Sequence, residues 1–351
     1  MTDATATGIG TATATAHPNV ALSKYWGKRS GGGKIPAVPS LSVTLAGLET
    51  RTQVTFDASL VEDRFVLDGR EADPLARARV VELLDRVRAG AGEERRAEVR
   101  SENDFPTASG LASSASGFAA LALAATRAAG LDWDAPRVSD LARRSSASAA
   151  RSLFGGFVEL AAGEPGARDE ELFAARPVAA ADHLPLVILV CVTTEGRKAV
   201  GSSEGMARTL AVSPYARAWL DEAPRIHARL RDALLARDFG EVGELAEASA
   251  LAMHASAIAA GVMYWNGATL EALGALRALR AGGTLAFATI DAGPHVKVLA
   301  RPGDLARVRS AMKSVPGVLR VLEARPGEGA ALVASRASGA PSLAAARGSV
   351  A

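Results

Sequence analysis

Cysteine is almost absent from these 351 residues: Cys191 stands alone, inside the apolar run 186–192. One cysteine excludes an internal disulfide framework and a cysteine-rich zinc site. Its neighbours mark it as a small buried hydrophobe. No apolar run reaches the roughly 20 residues that cross a bilayer, and the first residues lack the basic start and apolar core of a signal peptide. An excess of one charge is also missing, since 40 basic and 38 acidic residues leave a net +2. Neither nucleic acid nor membrane is therefore an expected partner. The five histidines show no metal spacing, so a protein-ligated transition metal is not expected. No serine-hydrolase elbow and no Walker-type loop ending in Gly-Lys-Ser/Thr occur.

Lysine is scarce too. Only Lys24, Lys28, Lys34, Lys198, Lys297 and Lys313 occur among the 40 basic residues. Where arginine is the default cation, a lysine invites a chemical reason: it is a compact ammonium that burial can tune. Three of the six fall within eleven residues.

What is present is globular, at 48% hydrophobic and 22% charged residues. The length suits two domains. The patterning predicts strands over 40–56, 64–70, 96–103, 184–193, 284–290, 295–300 and 317–323. It predicts helices over 74–89, 109–129, 136–148, 214–237, 239–258, 266–280 and 303–313. Residues 1–15 read as a disordered lead and 335–351 as a loose tail. The boundary is placed near 185, giving an N-terminal domain over 16–185 and an α+β C-terminal domain over 186–334.

Five segments carry candidate chemistry. Phe105–Ser116 is a run of small and hydroxyl residues entering a helix, suited to a phosphate; tight helix packing is the structural alternative. His17–Lys28 gathers two lysines and the pair Tyr25-Trp26 in a chain with 5% aromatics, suited to a diphosphate. Ser145–Gly156 sets Arg151 among hydroxyls, suited to a carboxylate or phosphate, or is a plain helix end. Asp291, before a tight turn at a strand end, is a general base or a turn cap. Arg197–Met206 adds two cations and two serines after a buried strand, or is a solvated loop.

In this order the segments resemble the diphosphomevalonate decarboxylases of the GHMP kinase superfamily. The motifs stand at Asn19–Lys28, Ser40–Leu45, Phe105–Ala115, Ser148–Phe157, Ser202–Met206 and Asp291–Pro294, across about 16–325. The resemblance implies an α+β, two-domain GHMP kinase fold, with a ribosomal-protein-like N-terminal domain and a ferredoxin-like C-terminal domain around the active-site cleft. It implies ATP and Mg²⁺ as cofactors, with magnesium held largely by ATP oxygens and water. It also implies mevalonate diphosphate as small-molecule partner, a homodimer and a cytoplasmic location. ATP would phosphorylate the tertiary hydroxyl; loss of phosphate and carbon dioxide would give isopentenyl diphosphate.

Carried over residue by residue, Asp291, Lys24 and Arg151 would be catalytic. Asn19, Tyr25, Lys28, Ser146, Ser148 and Ser202, with Arg151, would hold the substrate. Pro106, Ser109, Gly110, Leu111, Ala112, Ser113, Ser114 and Lys198 would hold the nucleotide. The chain departs from the family at Ala147 for glycine, at Gly261-Val-Met263 for a proline pair, at His295 for asparagine, and in 35–39. If position 147 needs φ > 0, Ala147 would reshape the loop. The rival readings are a mevalonate 3-kinase, a phosphomevalonate decarboxylase, or a non-catalytic ligand-binding member.

Overall fold

The computed structural model describes residues 10–29, 32, 34–105, 113–168, 171–196 and 198–334. The chain opens with β1 (Thr11–Ala16), β2 (Asn19–Ser23), β3 (Ser40–Ala46), β4 (Thr50–Asp57), β5 (Arg64–Leu67) and β6 (Arg70–Glu71). Helix α1 (Pro74–Ala91) follows, begun by the Asp73 cap with Pro74 in its first turn and ended by Gly92 at φ 64°. Next come β7 (Arg96–Asn103), α2 (Ser113–Ala128), α3 (Ala135–Ser145), α4 (Ala149–Ser152), β8 (Phe157–Leu160), β9 (Arg176–Ala179) and β10 (Val187–Val192). The last third holds α5 (Ser202–Val212), α6 (Ala216–Leu235), α7 (Phe239–Ala259), α8 (Gly267–Ala281), β11 (Ala286–Ile290), β12 (Val296–Ala300), α9 (Leu305–Lys313), β13 (Arg320–Pro326) and β14 (Ala331–Leu332).

Two sheets organise these elements. The first runs β14-β1-β4-β7-β5-β6, antiparallel except between β5 and β7. Its inner face packs on α1, α2 and α3. The second runs β11-β12-β10-β13-β3-β8-β9, with β2 also paired to β3. It joins the two halves of the chain through β13 and β3, where Arg325 faces Ala46 and Pro326 faces Leu45. Helices α6 and α7 cover β2, β3 and β10 in one core drawn from both halves. The N-terminal and C-terminal halves thus share a sheet and a core.

Four expectations need correction. Thr11–Ala16 is a strand, not part of a disordered lead; its alternation buries Ala14 and Ala16 beneath α2. Residues 1–9 and the expected tail 335–351 lie outside the described residues. The C-terminal domain does not keep all of 186–334, because Leu332 pairs with Ala14 and Ala331 with Thr15 in the first sheet. The helix expected over 136–148 stops at Ser145, since Ser146 is extended (φ −154°, ψ 114°), and a short helix restarts at Ala149. Ser202–Met206, within the segment for which a solvated loop is the plain reading, instead opens helix α5.

The Gly155-Gly156 pair has a structural reason. The chain crosses itself here: Gly156 donates to Gly327 O (2.8 Å), and Thr44 donates to Gly156 O (3.0 Å). Gly156 has φ +68°, and a Cβ on it would fall on the Ala179 carbonyl. Gly156→Ala is expected to cost about 2–4 kcal/mol, from left-handed strain plus overpacking. Urea unfolding checks this; a midpoint unchanged from the parent would refute it.

Candidate active site

Strand β2 aims the first cation. Its pairing with β3 shifts register between Ala21 and Ser23, a bulge of the kind that re-aims a side chain. Lys24 leaves the strand there, with its backbone N–H on Ser249 Oγ of α7 (3.0 Å). Its ammonium donates to Ala21 O (2.8 Å) and Asp291 Oδ1 (2.7 Å). Asp291 directly follows β11, and β12 returns alongside with Lys297 opposite Thr289. Lys297 Nζ lies 3.1 Å from Asp291 Oδ2. Both lysines are 2% exposed, whereas the Asp291 side chain keeps 30% of its surface open.

The electrostatics follow from this geometry. Burial pushes the Asp291 carboxyl up, but the ammonium groups of Lys24 and Lys297 outweigh it and hold the group below the usual carboxylate range. Burial lowers Lys24 to about 8, with Asp291 working against that shift and Lys297 and Arg151 adding to it. Asp291 is therefore a fixed anion and Lys24 a cation that titrates near neutrality.

Arg151 is buried beside this pair without a carboxylate partner among the described residues. Its guanidinium donates to Ser42 Oγ (2.9 Å), Ser40 Oγ (2.7 Å) and Asn19 Oδ1 (3.4 Å). Asn19 in turn donates to Ser148 O (2.9 Å) and Ser152 Oγ (2.8 Å). Burial brings Arg151 down to about 10, partly offset by Asp291 and Tyr25. A buried guanidinium held by neutral hydroxyls is prepared for an incoming anion.

A second group of cations lies at the turn between α3 and α4. Lys34 Nζ and Arg79 Nη2 both donate to Ser145 O, the latter at 3.0 Å. Lys28 Nζ donates to Ser203 Oγ at the start of α5 (2.8 Å). Lys34 is lowered to about 8, first by burial and then by Arg79; Lys28 is lowered by the same two causes. Ser146 and Ser148 share a hydrogen bond (3.1 Å) at the helix break, and Tyr25 OH reaches Lys34 O (3.4 Å). Lys198 donates to Ser202 Oγ (2.8 Å) and Ala292 O (3.3 Å), so it sits at the Asp291 turn. Ala147 is not among the non-glycine residues at positive φ, which are Lys34, Asp68 and Arg237. The alanine fits its loop without strain.

Ser113 and Ser114 open α2 and line a cavity of about 170 Å³ between that helix and the first sheet. Phe65, Leu67, Val80 and Phe118 supply its apolar walls; Ser101, Asn103 and Arg79 add polar groups. Arg79 stacks over the Phe118 ring at 4.5 Å. A flat heteroaromatic ring fits such walls. Pro106, Ser109, Gly110, Leu111 and Ala112 lie outside the described residues.

Sequence reasoning missed Arg79, the cavity and the partnership of Lys297. Lysine scarcity was the available signal for Lys297. His254 of α7 is wholly buried. Its Nε2 lies 3.2 Å from Ile290 O, beneath the strand that delivers Asp291. Among the described residues no cluster of three or more His, Cys, Asp or Glu side chains could hold a metal.

Two family models match this chain: the diphosphomevalonate decarboxylase-like N-terminal domain over 16–173 and the mevalonate 5-diphosphate decarboxylase C-terminal domain over 188–325. The phosphomevalonate decarboxylase of Haloferax volcanii is 37% identical over 281 residues, covering 77% of this chain and 81% of that protein. The human diphosphomevalonate decarboxylase is 34% identical over 308 residues, covering 82% and 76%. A solved structure designated MDDEF, in complex with MVAPP, AMPPCP and magnesium, is 38% identical, with a TM-score of 0.86 over 93% of this chain and 99% of that one. The mevalonate diphosphate decarboxylase from Enterococcus faecalis is 37% identical, with a TM-score of 0.85 over the same shares.

The cations around Ser145 predict a measurable anion site. Lys34 has a folded pKa below its unfolded value of 10.5, so its charge opposes folding below pH 8 and that cost fades as pH rises toward 10.5. Lys34→Met should therefore melt no lower than the parent at pH 7. Inorganic diphosphate should raise the parent's melting temperature and raise that of Lys34→Met distinctly less. Equal diphosphate shifts in thermal denaturation would remove Lys34 from the anion site.

Proposed function

The chain belongs to the diphosphomevalonate decarboxylase family, and we propose that its paired cation sites carry out the ATP-dependent decarboxylation of mevalonate diphosphate to isopentenyl diphosphate. The fold is the two-domain GHMP kinase fold, and the reacting groups come from both halves of the chain. The observation that carries the reading is the Asp291–Lys24 pair beside a buried Arg151 that has no carboxylate partner among the described residues.

Each charged end of the substrate then has a counterpart. Arg151 takes the carboxylate and fixes the tertiary carbon's orientation. Lys28 and Lys34, with Tyr25, Ser146, Ser148 and Ser202 at the same end, take the diphosphate. Lys24 and Lys198 face the transferring phosphoryl group. The nucleotide's phosphates lie at the start of α2, by Ser113 and Ser114, and its base in the neighbouring cavity. When bound, magnesium would supply positive charge to the phosphate oxygens; among the described residues, the hydroxyls of Ser113 and Ser114 at that helix start would be available to it.

The tertiary hydroxyl oxygen forms a bond to the γ-phosphorus as the bond from phosphorus to ADP breaks. In a loose transfer the hydroxyl becomes acidic only as its new bond forms, so a weakly basic carboxylate suffices as acceptor. Asp291 takes that proton late. The C–O bond of the new phosphate then breaks, and the electrons of the carbon–carboxylate bond fill the developing cation as a double bond. Phosphate and carbon dioxide leave. Exclusion of water protects that cation. We also read the protein as a cytoplasmic homodimer, on the family resemblance; among the described residues no helix is long and apolar enough to cross a membrane.

The decisive assay supplies ATP and magnesium with mevalonate, its monophosphate or its diphosphate, and counts ADP and carbon dioxide together. Equal yields with the diphosphate preferred are expected. Preference for the monophosphate, or ADP without carbon dioxide, would overturn the reading in favour of a sister activity. The rate should also fall as pH rises through about 8, where Lys24 loses its proton. A kcat profile still rising at pH 9, about one unit higher, would contradict the need for a charged Lys24.

A further inference from the structure

Asp291 has two carboxylate oxygens, and the mechanism above uses a partner for only one of them. Oδ1 receives Lys24 at 2.7 Å. Oδ2 is held by Lys297 at 3.1 Å, from a strand that supplies none of the groups expected from sequence. A lysine at this place is costly. It is 2% exposed, its strand is otherwise apolar (Val296, Val298, Leu299, Ala300), and a buried ammonium is tolerated only with a partner. An uncharged residue would fit β12 better if packing alone mattered. One carboxylate against two ammonium groups leaves this cluster with an excess of positive charge, next to the point where phosphoryl and carboxylate groups converge.

We propose that Lys297 is a positioning residue of the reacting centre: it pins Asp291 Oδ2 so that the carboxylate presents its open edge to the substrate hydroxyl, and it keeps the cluster cationic. The inference rests on the function proposed above. It differs from packing because charge at Lys297 is felt by its neighbours. Lys297 depresses Lys24 and Lys198 and, together with Lys24, Asp291. The other charged or titratable groups facing Asp291 are Arg151 from α4, Lys198 from the loop before α5, and His254 from α7, which burial keeps neutral with a pKa of about 3.

The test compares Lys297→Met and Lys297→Arg with the parent in the diphosphate assay, across pH. Removing the charge releases both Asp291 and Lys24 upward. The whole kcat–pH profile of Lys297→Met should move to higher pH, with its alkaline limb above the parent's value near 8. Loss of a charged hydrogen bond to Asp291 should cut kcat about 10- to 100-fold with a much smaller change in KM. Lys297→Arg keeps the charge and should leave the limbs where they are. Should methionine prevent folding, Lys297→Gln removes the charge while keeping a donor, and must shift the limbs the same way. A charge-free variant with the parent's pH profile and kcat would overturn the proposal. A parent that is inactive on all three substrates would instead refute the function on which it rests.

Discussion

A carboxylate held between two buried ammonium groups constrains everything around it. Each ion has lost most of its water, and only close mutual contact offsets that loss. Lys24 follows β2, Asp291 follows β11 and Lys297 lies on β12, and the first of these is some 270 residues from the other two in sequence (267 for Lys24 and Asp291). Their contact therefore demands that the halves of the chain be fixed against each other before any ligand arrives. A hinge at this point would strand a buried charge. The shared sheet and the core that α6 and α7 build over both halves meet that demand.

The same logic accounts for the polar bonds that hold β2. Ala21 O accepts both Lys24 Nζ and Thr289 Oγ1, each at 2.8 Å, so one carbonyl ties the bulge to the end of β11. Two residues on, Ser23 Oγ meets His227 Nδ1 of α6 at 2.9 Å, and His227 Nε2 meets Glu159 of β8 at 2.8 Å. Leu41 N–H also donates to Ser23 Oγ. This relay satisfies every hydroxyl and ring atom in it and buries Ser23 and His227, so it reads as a strut, not as a nucleophile. Lys24 is aimed by a strand fixed on both sides.

Much of this was legible in the sequence, for identifiable reasons. Five of the six lysines cluster at the site; Lys313, in the last turn of α9, serves the helix end instead. A composition that favours arginine exposed the positions where a tunable ammonium is needed. Arg151, Asn19, Tyr25 and the serines came through their motifs. The break in the helix at 146–148 did not, because the run Ser145-Ser-Ala-Ser-Ala149 carries no helix-stopping signal as strong as proline or glycine. Nor did β1, whose Thr/Ala alternation is weakly apolar until α2 covers it. Lys297 sat in a strand pattern with nothing to show that its face meets Asp291; only the β11–β12 register supplies that. The α2 cavity depends on side chains from α1, α2 and three strands, β4, β5 and β7, a convergence that spacing along one element does not reveal.

The two cation groups differ in kind, and that difference bears on selectivity. At Asp291 the positive charges are buried and already paired, so their positions are set by the protein and suit groups that change charge during reaction. At Lys28, Lys34 and Arg79 the cations meet chiefly hydroxyl and carbonyl oxygens, and they crowd one another. Such a group is completed by its ligand and rewards the more highly charged one. Under the proposed function, chemistry at the tertiary carbon and choice of phosphorylation state are therefore separable within one fold. With the roles proposed above, a substitution near Ser145 would change which phosphate ester is preferred while Asp291 and its lysines stay as they are. In the reverse case, under the same proposed function, loss of a charge at Asp291 would slow the reaction for every substrate alike.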